Sequence, residues 1–157
     1  MADLLLSVRH LRDLPARWGP VFHTSLVLVD QRELPLVIGG DKGQGALWLL
    51  PLIPAQRPAS LLAPLVIYED VFRPGHVDFD HSLTRVPVVE GVGYHATRNA
   101  LRQVRQRIDA LELRYDPLRT NCNAVVTTLI RHLGYVLPPA PVRGWLPAYG
   151  HVILQEP

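Results

Sequence analysis

Cysteine is nearly absent: one thiol, Cys122, stands in 157 residues. A single cysteine excludes an internal disulfide and any metal site built from several thiolates. Charge is sparse too. Charged residues make up 19% of the chain and the formal net charge is +2, so a pI near 9.0 rests on few groups and is no nucleic-acid footprint. Long hydrophobic runs are missing. Residues 47–53 are apolar, but the run is short and broken by Pro51, so it is no membrane span. Leu4-Leu5-Leu6 is too short for the apolar segment of a secretory signal, and Asp3, Arg9, Arg12 and Asp13 crowd around it. The expectation is a cytoplasmic protein, with export by a route that needs no cleaved signal left open. Internal repeats and low-complexity blocks are also absent. A 48% hydrophobic content over this length is enough for one domain, residues 1–157, with a substantial core.

Proline and histidine are well represented, at fifteen and seven. The prolines predict extended connections over residues 46–64 and 135–145. Short strands are predicted at residues 4–8, 34–38, 65–68, 86–89 and 151–154, and a central one at 21–29, rich in β-branched residues and closed by the turn pair Asp30-Gln31. The period of two puts His23 and Ser25 on one face of that strand with Val21, Val27 and Val29. Gly39-Gly40-Asp41-Lys42-Gly43 reads as a hairpin loop. It lacks the spacing of a phosphate-binding loop, has no Ser or Thr after Lys42 and precedes no clear helix, so no nucleotide cofactor is expected. Asp78, Asp80 and His81 meet no metal-ligand spacing and read as a solvated turn; no metal is expected. Residues 94–113 form the clearest helix, with Thr97, Leu101, Val104, Ile108 and Leu111 as its apolar stripe. Arg98, Arg102, Arg105 and Gln106 lie off that stripe, as a solvated face with local ion pairs.

The environment of Cys122 is the most informative. Pro117 bars a helix before it, Thr120 or Asn121 can cap a helix that starts at it, and Val125, Val126, Leu129, Ile130 and Leu133 supply the buried face up to a stop at Gly134. Cys122 therefore falls at a helix N-terminus, where free N–H groups and the macrodipole favour a thiolate. A lone cysteine is more often a small buried apolar residue, so catalysis requires a base within reach. His132 lies ten residues along the same helix, about 15 Å away. His10, His76, His81 and His95 fall in loops or at element ends. His23 differs, being a titratable group inside an apolar strand, where burial demands a partner.

His-Thr-Ser at 23–25 and Thr-Asn-Cys-Asn at 120–123 resemble the two signature segments of the PPPDE superfamily of cysteine isopeptidases, which includes the desumoylating isopeptidases. That superfamily is similar in fold to the NlpC-type cell-wall peptidases and the lecithin–retinol acyltransferase group. The resemblance implies an α+β, circularly permuted papain-like fold: an antiparallel sheet packed against a few helices, with the histidine strand before the cysteine helix. It implies Cys122 as nucleophile and His23 as the base that forms a thiolate–imidazolium pair. Asn121 or the Cys122 backbone N–H would face the oxyanion, Asn123 would support the loop, and His151 is a candidate third polar residue. The Gly-rich segment 38–43 matches the family only loosely, and residues 143–150 have no counterpart in it.

The reading is thus a thiol hydrolase of the cysteine-peptidase type, acting on a protein or peptide substrate through an acyl-thioester, with no cofactor, no nucleic acid and no membrane span. Three substrates stay open: a ubiquitin-like conjugate as for an isopeptidase, a peptidoglycan stem peptide cleaved by a secreted toxin, or a lipid ester or amide, which would make an acyltransferase or thioesterase. The rival from another class is a non-catalytic protein-binding module using the Arg face of residues 94–113 and the Pro/Trp-rich tail.

Overall fold

The computed structural model describes residues 1–11, 20–43 and 63–155. The fold is α+β. Its elements are β1 (Ala2–His10), β2 (Phe22–Val29), β3 (Leu36–Lys42), β4 (Leu65–Val71), α1 (Val77–Asp80), β5 (Ser82–Val92), α2 (Tyr94–Asp109) and α3 (Cys122–His132). The five strands form one antiparallel sheet in the order β4-β3-β2-β1-β5, which puts β2 at its centre as the sequence predicts.

Alternation assigns the two faces. Leu4, Leu6 and Val8 of β1, Phe22, Leu26 and Leu28 of β2, and Leu36 and Ile38 of β3 pack in one cluster with Leu101, Val104 and Ile108 of α2 and Val125, Val126, Leu129 and Ile130 of α3. The intervening residues Leu5, Val27, Val29 and Val37 form a second, smaller cluster with Tyr68, Phe72 and Phe79 on the opposite face. One face is therefore roofed by the two long helices and the other by the short segment around α1. Glu69 ties α2 to the sheet: Arg98 Nη2 and Arg102 Nη2 donate to its Oε1 at 2.9 and 2.7 Å.

Several sequence expectations change. Gly39 and Gly40 belong to β3 rather than to a loop, because neighbouring side chains occupy the space where a Cβ would stand. β4 runs on through Glu69 and Asp70, and β1 and β5 are longer than predicted. α2 stops at Asp109, the chain turns with Glu112 at φ 48°, and Leu111 is exposed. Residues 151–154 form no strand. Their segment docks on α3 instead, where the Thr127 and Thr128 hydroxyls accept from the Gly150 and Ile153 N–H groups at 3.0 and 2.9 Å. The predicted link through Pro15 and most of the connection 46–64 lie outside the described residues. Among the described residues no helix is long and apolar enough to cross a membrane.

Candidate active site

α3 begins at Cys122 because Asn121 caps it. Asn121 Oδ1 accepts from the Asn123 and Ala124 N–H groups at 3.0 and 3.1 Å, and its Nδ2 donates to the carbonyls of Pro117 and Pro147 at 2.6 and 3.0 Å. Thr120, the other candidate cap, spends its hydroxyl on the Arg114 carbonyl. With both Nδ2 hydrogens engaged, Asn121 has no donor left for an oxyanion and is a supporting residue. Of the two oxyanion candidates, the Cys122 N–H is the one with no hydrogen-bond partner among the described residues.

Asn123 joins the two sequence motifs. Its Oδ1 accepts from the Thr24 hydroxyl at 2.9 Å and from the Cys122 thiol at 3.6 Å, and its Nδ2 donates to the carbonyls of Phe22 and Pro147 at 3.2 and 3.0 Å. The sheet opens at the same place. The β2–β3 ladder ends at Ser25↔Gly39, whereas β3 stays paired with β4 as far as Lys42↔Leu65. The first turn of α3 stands at this divergence: a Cβ on Gly40 would lie 3.2 Å from the Cys122 Cα. The Thr24 N–H, beyond the end of the ladder, favours the thiolate form of Cys122.

His23 points to the other face of the sheet. Its Nε2 is 3.2 Å from the Tyr68 hydroxyl oxygen and 3.5 Å from Asp78 Oδ1. The Tyr68 O–H donates to Asp78 Oδ2 at 2.5 Å, and Arg9 Nε donates to Asp78 Oδ1 at 2.6 Å. A phenol has one proton, and here it goes to the carboxylate. The Tyr68 oxygen is then the acceptor of a His23 Nε2–H, and the ring is the Nε2-protonated tautomer. Its Nδ1 keeps a lone pair with no hydrogen bond among the described residues.

Burial sets the charges. His23 is 3% exposed and its pKa is lowered to about 3, first by desolvation and then by the Arg9 charge, against the opposing pull of Asp78. Cys122 is 4% exposed and burial pushes its thiol up to about 12, although the Thr24 N–H, the Arg9 charge and the Asn123 N–H favour the thiolate. Burial also penalises the Asp78 carboxylate, but His23, Tyr68 and Arg9 outweigh it and hold the group below its usual range. Burial thus favours a neutral thiol and a neutral imidazole beside an ionised Asp78. No hydrogen bond joins Cys122 to His23 in this state. Beside the cluster lies a cleft of about 370 Å³ lined by Arg9, Lys42, Val66, Tyr68, His76 and Val77.

The structure thus brings Cys122, Asn121, Asn123 and the strand bearing His23 together. It does not bring His151, which is exposed in a turn closed by its N–H on the Ala148 carbonyl. His23 has two polar partners, Tyr68 and Asp78, and Asp78 is buried rather than in the solvated turn that the sequence predicts. Asp78 is 1% exposed, whereas Asp80 turns outward to the Gly75 N–H, so the two carboxylates do not converge. Among the described residues no three His, Cys, Asp or Glu side chains are grouped to hold a metal. The demand for a carboxylate here comes from strand register. Arg9 and His23 are direct cross-strand partners on one face, and two such groups under cover require a carboxylate. No protein-family model matches the chain, and no curated protein or solved structure matches it either.

Proposed function

We propose that the chain is a cysteine hydrolase that cleaves an amide, peptide or isopeptide bond through an acyl-thioester on Cys122. One observation carries this reading. Thr24, the neighbour of His23, donates its hydroxyl to the same Asn123 Oδ1 that accepts from the Cys122 thiol, while the His23 Nε2 side is held by a buried carboxylate. A thiol at a helix start, an imidazole on the adjoining strand and an orienting acid are the parts that thiol acylation needs. The order of the histidine strand before the cysteine helix, on an antiparallel sheet, supports a permuted papain-like arrangement of the PPPDE kind.

In the proposed reaction the thiol turns from Asn123 Oδ1 toward His23 Nδ1. Sulfur attacks the substrate carbonyl carbon as its proton passes to Nδ1. Both groups are neutral at rest, so the proton moves with the attack rather than before it. The tetrahedral oxyanion takes the Cys122 N–H, and Asp78 stabilises the imidazolium. Collapse breaks the C–N bond, and Nδ1 returns its proton to the departing amine. Water, deprotonated by Nδ1, then attacks the thioester, releasing a carboxylic acid and restoring the thiol. A ubiquitin-like conjugate, a peptidoglycan stem peptide and a lipid ester or amide all present such a carbonyl.

The test is acetylation by p-nitrophenyl acetate, followed by intact mass and by release of nitrophenol. The expected result is one acetyl group on Cys122, turned over in the wild type and lost in Cys122→Ala, with acetylation at least about 100-fold slower in His23→Ala. Equal acetylation in wild type and His23→Ala, or none in either, would sink the hydrolase. The second outcome would favour a non-catalytic binding module, the reading that the burial of the thiol supports.

A further inference from the structure

We propose that Tyr68 is a positioning residue that selects the tautomer of His23, leaving Nδ1 as the base, and that it acts from the lining of the cleft. This rests on the hydrolase reading. The Tyr68 hydroxyl is the nearer of the two oxygens at Nε2, at 3.2 Å against 3.5 Å for Asp78 Oδ1. Its proton is committed to Asp78 Oδ2, so both oxygens present lone pairs to Nε2. An Nδ1-protonated ring would set its own lone pair against two acceptors, whereas an Nε2-protonated ring donates to them. Arg9 keeps Asp78 ionised from the other side, which keeps the phenol a donor to it.

The phenol is held in place by an absence. A Cβ on Gly39 would lie 2.5 Å from the Tyr68 hydroxyl oxygen and 2.8 Å from Cζ, so the ring reaches His23 across the bare backbone of residue 39. The same ring lines the cleft with Arg9, Val66 and His76. A substrate chain lying in that cleft rests on the residue that orients the base.

Phenylalanine at position 68 retains the ring and removes only the hydroxyl, which separates positioning from packing. The experiment is ¹⁵N NMR of the His23 ring nitrogens in the wild type, Tyr68→Phe and Gly39→Ala, with p-nitrophenyl acetate acetylation alongside. The wild type is expected to show one neutral tautomer, protonated at Nε2. Tyr68→Phe is expected to populate the Nδ1-protonated form and to slow acetylation of Cys122 about tenfold, the order of one hydrogen bond. Gly39→Ala, which displaces the hydroxyl, is expected to reproduce both effects. An unchanged His23 tautomer in Tyr68→Phe overturns the proposal. Failure of the hydrolase reading looks different: the tautomer shifts in Tyr68→Phe, but acetylation is the same in wild type and His23→Ala.

Discussion

At the scale of single residues, burial penalises whichever form of a group carries charge, and the site shows it three ways. His23 and Cys122 lose their charges, while Asp78 keeps its own because Arg9 and Tyr68 give it strong hydrogen bonds. The Arg9–Asp78 pair is a poorly solvated ionised pair at the base of the site, with side chains 14% and 1% exposed. Asp78→Asn would leave the Arg9 guanidinium beside a neutral amide in a poorly solvated position. Urea denaturation is expected to show a loss of about 3 kcal/mol. Replacing both residues, as Arg9→Met with Asp78→Asn, is expected to recover part of that loss, because no orphaned charge remains. Additive losses in the double variant would mean that the pair is not coupled. Cys122, His23 and the Asn121 cap were legible because each depends on a local pattern: a cap before an apolar helix face, or a polar residue in an apolar strand. Asp78, Tyr68 and Arg9 were not. Their roles come from the convergence of positions 9, 23, 68 and 78, which strand register and the turn into α1 decide.

At the scale of elements, β3 shows how a glycine pair misleads and what it does instead. Gly39-Gly40 has the composition of a turn, yet both residues lie in a strand. Each removes a side chain where something else must come close: the Tyr68 ring over Gly39 on one face, and Val125 with the Cys122 backbone over Gly40 on the other. Composition reports glycine's freedom in turns, but close approach of neighbours is a tertiary fact that a single sequence does not carry. Gly40→Ala would put a Cβ 2.8 Å from Val125 Cγ2 and 3.2 Å from the Cys122 Cα. The cost is expected to be about 1–3 kcal/mol in urea denaturation. Val125→Ala in the same chain should recover only part of it, since a side chain can yield but the start of α3 cannot shift without breaking the Thr24 and Asn123 bonds. Full recovery would show that the helix start does not press on β3. The terminal segment 151–154 makes a similar point: its apolar pattern reads as a strand, but the sheet is completed without it and the Thr127 and Thr128 hydroxyls offer the acceptors.

At the scale of the molecule, one sheet carries two unequal layers. Among the described residues, the helix side supplies the larger hydrophobic cluster, and the side of His23, Tyr68 and Asp78 carries the small cluster of Val27, Val37 and Phe72 and their neighbours. Polar groups of the candidate site share a face with the smaller of these clusters, and their buried charges make stability depend on pH. His23, Asp78 and Glu69 all have folded-state pKa values below their ordinary ones: His23 by burial first, Glu69 by its hydrogen bond from Arg102 first, and Asp78 because its partners outweigh burial. For each group the unfolded chain takes up its proton first as pH falls. The contribution is complete above the unfolded pKa and is lost as pH falls toward and through the folded one. The two carboxylates enter this window only near pH 4. His23 enters it near 6.5 and stays in it down to about 3. Between pH 6 and 5 its share approaches the one-proton limit of about 1.4 kcal/mol per pH unit. Urea denaturation of the wild type at pH 7, 6 and 5 is expected to show that decline, and His23→Gln, whatever its stability at pH 7, is expected to flatten it. A decline steeper in His23→Gln than in the wild type would mean that His23 is already protonated in the folded protein, its pKa raised rather than lowered. The neutral resting pair would then be wrong, and the thiolate–imidazolium pair would become the starting state of the proposed reaction.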